Sequence, residues 1–379
     1  MRILSSNRKP RGTLQENPAA RCGSLFPDNF AMKTFGYAAH SPESPLVPFD
    51  FDRRALRPND VAMEVLYAGI CHSDLHQVRN DWGFSSYPIV PGHEIVGRVM
   101  EVGSGVTRYR PGDAVAVGCM VDSCLDCDQC RRGEEQLCRF ACTQTYNDRD
   151  RITRAPTYGG YSKHLVVREE FALRVPESLD LAKAAPLLCA GITTFSPLRK
   201  WNAGPGTRVG VIGLGGLGHM AVKLAAGMGA EVTVLSRTQD KEADALALGA
   251  TRLLVSTDPD AMKEAGSSLD LIIDTVPVKH ELSPYLPLLD IDGTLVVVGQ
   301  LGSLGELSSL PLLMGRRRVS GSPIGGIAET QEMLDFCAEK NILPDCEMIR
   351  MDEINEAFVR LERADVRYRF VIDMASFRA

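Results

Sequence analysis

The sequence predicts an α/β chain in which a doubly wound parallel sheet is joined to a mostly β, metal-bearing domain. Three observations carry that expectation. Residues 32–175 are rich in Gly and Pro and hold short β-branched runs. After Pro186, apolar strands alternate with helix-like stretches, the pattern of a parallel sheet with helices on both faces. Four cysteines, Cys124, Cys127, Cys130 and Cys138, fall within fifteen residues.

Composition narrows the function classes first. A chain of 379 residues exceeds one ordinary core, so two or three domains are expected. A net charge of −6 argues against nucleic acid or an anionic membrane surface as the main partner. The sequence has no apolar run long enough to span a bilayer. Eleven cysteines in a chain this long read better as metal ligands in a reducing compartment than as a disulfide framework.

Residues 1–31 differ from the rest. They carry Arg2, Arg8, Lys9, Arg11 and Arg21 against only Glu16 and Asp28, and they lack the apolar stretch of a secretory signal. We expect a disordered or non-native extension before Met32, with a transit peptide as the alternative. Next, residues 61–67 alternate as a half-buried strand should, and 95–102 and 114–117 read as further strands. Residues 208–212, 231–235, 271–274 and 294–298 form the strand series of the parallel sheet. A helix is expected over 216–228. The C-terminal stretch reads as helices at 327–340 and 354–362 and a strand at 369–372. It is too short to stand alone and is expected to fold back onto the N-terminal part.

Gly213, Gly215 and Gly218 fit G-x-G-x-x-G, with an apolar strand before them and a helical stretch after. In that context Gly213 permits the tight turn, Gly215 lets backbone approach a pyrophosphate, and Gly218 lets helix and strand pack closely. Gly216 and Leu217 complete the loop, and the helix N-terminus offers free N–H groups to phosphate. The second strand of a dinucleotide fold usually ends on an acid that holds the ribose 2′-hydroxyl of NAD. Here Ser236 stands in that place, followed by Arg237 and, nearby, Lys241. A small hydroxyl leaves room for a 2′-phosphate and the guanidinium suits one, so NADP(H) is expected.

The spacing Cys124-x-x-Cys127-x-x-Cys130-x7-Cys138 supplies four thiolates, enough to close a tetrahedral structural zinc site with no open position. An iron–sulfur cluster and a redox disulfide pair are the rival uses of four such thiols. Cys71, His93 and Cys189 are scattered, and no spacing rule joins them.

The residues quoted so far, together with Cys71-His72-Ser73-Asp74-Leu75-His76, Pro91-Gly92-His93-Glu94, 185–193 and 365–373, resemble the zinc-dependent medium-chain alcohol dehydrogenases. Within that family the chain is similar to the cinnamyl alcohol dehydrogenase branch, including bacterial broad-specificity NADPH-dependent aldehyde reductases. The resemblance implies a GroES-like catalytic domain over 32–190 and 326–379 and a Rossmann domain over 191–325. It implies a catalytic zinc on Cys71, His93 and Cys189, with Glu94 able to approach the metal during ligand exchange. Asp74 would orient His93, Ser73 would share a proton with the substrate oxygen, and His76 would end a proton relay. Thr193 would pack near the nicotinamide, and Arg369 would reach the cofactor pyrophosphate. Trp82 and Tyr87 would shape the substrate pocket, and His72 would border the cofactor. The resemblance further implies two zinc ions per subunit, a small-molecule aldehyde or alcohol as substrate, a homodimer and a cytoplasmic location. An NAD-dependent polyol or formaldehyde dehydrogenase of the same superfamily, or a non-catalytic cofactor-binding protein on this fold, are the alternatives.

Overall fold

Two sheets organise the chain in a computed structural model that describes residues 32–299 and 302–377. The expectation for residues 1–31 lies outside the described residues. The first sheet is parallel and six-stranded. Its spatial order is Arg252–Val255, Glu231–Ser236, Arg208–Ile212, Leu269–Asp274, Leu289–Val297 and Arg318–Gly321. In chain order this is 3-2-1-4-5-6, the doubly wound arrangement. The strand order reverses between Arg208–Ile212 and Leu269–Asp274, so a crevice opens at the C-terminal ends of those two strands. The central strands are apolar without alternation because both faces are covered: Val211 and Ile273 are buried in one cluster, Ile212 and Ile272 in another.

The second sheet is mixed and centres on the long strand Asp60–Ile70. Ile95–Val102 and His164–Arg168 pair antiparallel with it. So does Arg369–Asp373 from the far end of the chain, which in turn pairs parallel with Cys346–Arg350. The C-terminal stretch therefore completes the N-terminal sheet. Its helix Ile354–Glu362 turns Ile354, Phe358 and Leu361 into the same core at helical spacing. Among the described residues the two sheets belong to one compact unit, linked through helices: Ile327–Lys340 contacts both the strand Leu173–Arg174 and the helix Ala190–Lys200.

Several elements differ from the sequence expectation. The helix after the glycine turn spans Gly218–Gly227, beginning two residues late because 213–217 are spent in the turn. The hairpin Met32–Ala38 with Val47–Arg53 was not expected, nor was the edge strand Arg318–Gly321. Helix Ala190–Lys200 was also not read. It is buried all round from Ala190 to Leu198 and contains Pro197, so it shows no amphipathic period. Among the described residues no single helix is long and apolar enough to cross a membrane; only the bent pair Leu181–Leu188 and Ala190–Lys200 reaches that composition jointly.

Candidate active site and metal centres

Cys71 ends the long central strand's run into the helix His72–Val78. His93 and Glu94 immediately precede the strand Ile95–Val102, and Cys189 precedes helix Ala190–Lys200. These four residues, distant in the chain, are brought together and buried. Their potential ligand atoms all lie within 4.8 Å of one another, and Cys71 Sγ is 3.8 Å from Cys189 Sγ.

Asp74 organises the cluster from behind. It is fully buried, and each of its oxygens accepts two hydrogen bonds. Oδ1 accepts from Gly92 N–H at 3.0 Å and from His93 Nδ1 at 3.0 Å. Oδ2 accepts from Cys71 N–H at 3.0 Å and from the Tyr161 hydroxyl at 3.1 Å. With Nδ1 committed as donor, the lone pair of His93 Nε2 is left for a metal. One carboxylate thus fixes the backbone of one candidate ligand and the imidazole of another.

Glu94 Oε1 pairs with the Arg369 guanidinium, and both side chains are buried. Burial raises the Glu94 carboxyl to about 7, with Arg369 holding it down against that effect. Its Oε2 is buried and has no hydrogen-bond partner among the described residues. An orphaned carboxylate oxygen beside two thiols and an imidazole fits a cation site. Arg369 also reaches the glycine turn: a Cβ on Gly216 would stand 2.9 Å from its Nη1. The same guanidinium therefore touches the buried Cys71–His93–Glu94–Cys189 cluster and the glycine turn.

The glycine turn has the geometry its spacing predicts. Gly213 has φ +87°, open to glycine, and a Cβ on Gly218 would fall 2.2 Å from the Gly213 carbonyl oxygen. The backbone N–H groups of Gly215, Gly216 and Leu217 find no hydrogen-bond partner among the described residues. They stand at the start of a helix and at the strand-order reversal, a ready site for phosphate. Ser236 closes its strand, buried, while Arg237 and Lys241 are exposed and form no ion pair among the described residues. Thr193 lies buried in the first turn of helix Ala190–Lys200.

Ser73 and His76 sit on the short helix that follows Cys71. His76 Nδ1 is 2.7 Å from Asp81 Oδ2, and its ring lies between those of His72 and Trp82, at 6.2 and 5.5 Å. The Tyr87 hydroxyl donates to the Val78 carbonyl at 2.6 Å, tying the 79–87 loop to that helix.

The four-cysteine loop forms a second cluster, again within 4.8 Å. Its sulfurs stand 3.5 Å (Cys127–Cys130) and 3.8 Å (Cys124–Cys130) apart, too far for a disulfide. Backbone N–H groups aim at them, from Cys127 to Cys124 Sγ at 3.3 Å and from Arg139 to Cys127 Sγ at 3.4 Å. Such donors stabilise thiolates, and hydrogen bonding from the backbone brings Cys127 down to about 6.

Three neighbours, Tyr161, Cys119 and Thr275, escaped the sequence reading. Tyr161 supports Asp74. Cys119 contacts Cys189 and faces His93; its only sequence signal is that it stands five residues before Cys124. Thr275 hydrogen-bonds the Ile212 carbonyl at 2.7 Å and so braces the glycine turn. His219, which the sequence puts in the glycine-loop helix either near the phosphates or simply packed there, stacks on Tyr368, centroids 4.8 Å apart, and donates from Nδ1 to the Gly215 carbonyl. Burial, with Arg369 and Lys223 nearby, brings His219 down to about 3 and keeps it neutral.

Comparison with known proteins identifies the family. Residues 57–177 match the alcohol dehydrogenase GroES-like domain, and residues 216–339 match the zinc-binding dehydrogenase family. The chain is 55% identical over 344 residues to NADP-dependent alcohol dehydrogenase C 1 of Mycolicibacterium smegmatis, covering 90% of this chain and 98% of that one. A cinnamyl alcohol dehydrogenase structure from Sorghum bicolor superposes with a TM-score of 0.88 at 46% identity, covering 92% of this chain and 99% of that one. The structure of a Helicobacter pylori CAD complexed with NADP(H) gives 0.86 at 43% identity, covering 92% and 100%.

Proposed function

The chain belongs to the zinc-binding, GroES-like alcohol dehydrogenase family, and from that premise we propose that it interconverts aldehydes and primary alcohols with NADP(H), on aromatic and aliphatic, cinnamyl-type substrates. The observation that carries this reading is the buried set Cys71, His93, Glu94 and Cys189, tied by Arg369 to the glycine turn.

Two thiolates and a neutral imidazole suit a catalytic zinc with one position open, and bound there zinc supplies Lewis-acid polarisation of a carbonyl oxygen. In this reading Asp74 holds His93 in the Nδ1–H tautomer, so that Nε2 faces the cluster. Glu94, through its unpartnered Oε2, would serve as an alternate ligand to that zinc. Ser73 passes a proton to the product oxygen, and His76, held by Asp81, returns it from solvent. Thr193 packs against the nicotinamide. The free N–H groups of 215–217 hold the pyrophosphate with Arg369, and Ser236, Arg237 and Lys241 receive the 2′-phosphate. Cys124, Cys127, Cys130 and Cys138 hold a second, structural zinc.

The proposed domains are 32–190 with 326–379, and 191–325. Support comes from the chain's crossover between Gly321, the end of the parallel sheet, and Cys346, the start of the mixed sheet's last pair. A homodimer is proposed through the free edge at Arg318–Gly321. Helix Ser309–Gly315 beside it exposes Leu310, Leu313 and Met314 at 64, 73 and 77%, apolar surface that a partner would cover. A monomer by light scattering at micromolar concentration contradicts it. Cytoplasmic location is proposed with the thiolate sites, which need a reducing compartment.

The decisive test is NADPH consumption with benzaldehyde and cinnamaldehyde, before and after chelation with zinc content measured. Loss of activity with loss of zinc is expected. Activity that survives removal of both ions overturns the zinc mechanism.

A further inference from the structure

The four-cysteine lobe lies away from the cluster of Cys71, His93 and Cys189, yet it touches the segment that leads from one sheet to the other. After the edge strand Arg318–Gly321 the chain crosses back through Gly325 and Gly326 into helix Ile327–Lys340. Gly326 is the residue that caps this helix, and no side chain of its own satisfies the first turn. The missing acceptor comes from the lobe. Glu135, buried between Cys130 and Cys138, accepts the Ile327 backbone N–H on Oε2 at 2.9 Å. A carboxylate at a helix N-terminus also meets the positive end of the helix dipole. The approach is so close that a Cβ on Gly326 would stand 1.6 Å from the Gly133 carbonyl oxygen.

The opposite side of the crossover is gripped as well. A Cβ on Gly325 would lie 2.6 Å from Ile192 Cδ1, in the helix that starts after Cys189 and carries Thr193. Helix Ala190–Lys200 packs on helix Gly218–Gly227, whose N-terminus is the glycine turn. Gly227 lies against Phe336 of helix Ile327–Lys340 and Ile342 just beyond it. The three helices thus form one layer, and the lobe holds the end of one of them.

We infer that Glu135 is a positioning residue through which the four-thiolate lobe fixes the crossover and, through the helix layer, the cofactor-binding turn. This rests on the reading that the four cysteines hold zinc. The metal keeps the loop rigid, the loop places Glu135, and Glu135 anchors the helix. The lobe's contribution to catalysis is then expressed in cofactor affinity rather than in the chemical step.

The test uses the full-length holoenzyme and the variants Glu135→Ala and Glu135→Gln. Three quantities are measured: zinc per chain, NADPH affinity by fluorescence titration without substrate, and hydrogen exchange at amides 327–330. Glu135→Ala should keep two zincs, weaken NADPH binding about three- to tenfold, and exchange the Ile327 amide at least about tenfold faster, as loss of a charge-assisted hydrogen bond implies. Its kcat at saturating NADPH should stay near wild type. Glu135→Gln retains an acceptor oxygen and should restore most of the protection and affinity. Unchanged NADPH affinity or unchanged Ile327 protection in Glu135→Ala overturns the inference. So does loss of the four-thiolate zinc in Glu135→Ala, which would make Glu135 part of the lobe's own fold. Fewer than two zincs in the wild-type protein would instead defeat the underlying two-zinc reading, separately from these outcomes.

Discussion

Replacing Asp74 by Asn changes one atom's character and nothing in shape, so its cost can be worked from four hydrogen bonds. The carboxylate accepts two bonds on each oxygen, and an amide has only one acceptor oxygen. If the amide nitrogen took the Oδ1 position it would face two committed donors, Gly92 N–H and His93 Nδ1. In the Oδ2 position it faces Cys71 N–H and the Tyr161 hydroxyl, and a hydroxyl can turn to accept. The second orientation wins, leaving the Cys71 N–H and one amide N–H unpaired and the bond from His93 made to a neutral oxygen. At roughly 1–3 kcal/mol for each unpaired donor and about 1 kcal/mol for the lost charge assistance, the variant should be destabilised by about 3–7 kcal/mol. That is a sizeable share of the roughly 5–15 kcal/mol that holds a domain together, though not all of it. The weaker hold on His93 should lower affinity for one of two zincs by about 10- to 100-fold, the usual effect of losing a group that orients a ligand. Competition with a chromogenic chelator resolves the two ions, and urea midpoints report stability. Asp74→Asn with both zincs held at wild-type affinity and an unmoved midpoint would refute the argument that this carboxylate organises the site.

Three further outcomes are expected. Tyr161→Phe keeps the packing of a fully buried ring but removes one donor from Asp74, so it should cost about 1–2 kcal/mol and speed zinc release severalfold; unchanged release in the chelator assay would show that Tyr161 only fills space. Arg237→Ala should lower kcat/KM for NADPH by about 10- to 100-fold, the value of a charge-assisted phosphate contact, and leave NADH nearly unaffected; equal losses with both cofactors would remove Arg237 from the 2′-phosphate site. Asp274 is fully buried, and burial raises its carboxyl to about 6 with only His280 and the Val276 N–H against it. The folded state therefore binds that proton more tightly than the unfolded chain. The associated stability is present below about pH 4 and is lost as pH rises through about 6, by about 3 kcal/mol in all. Asp274→Asn should thus be more stable than wild type above pH 6 and should lack that slope, and a melting-temperature series over pH 4–8 that shows parallel curves would contradict it.

What the chain's one-dimensional order determined is whatever depends on neighbours within a turn or two. Cys124 to Cys138 can meet without help because a short loop suffices, so spacing alone revealed that site. The glycine turn was legible for the same reason: strand, turn and helix are consecutive, and Gly213 and Gly218 answer to contacts inside that unit. Ser236 and Arg237 could be read because they end the next strand of the same repeat. Elements without a one-sided apolar face were not legible. Helix Ala190–Lys200 is buried on every side, and the edge strand Arg318–Gly321 is short and half-buried, so neither leaves a period to read. Cys71, His93, Glu94 and Cys189 share no local rule, and only the family resemblance joined them before the fold did. The tertiary structure decided the rest, because it alone sets distances between segments that pair late in the chain. Closing Arg369–Asp373 onto Asp60–Ile70 puts Arg369 between Glu94 and Gly216. Packing brings Tyr161 to Asp74 and Glu135 to Ile327. Each of these contacts satisfies a buried polar group with a partner far away in sequence, and burial, which makes such a partner necessary, exists only once the sheets have closed.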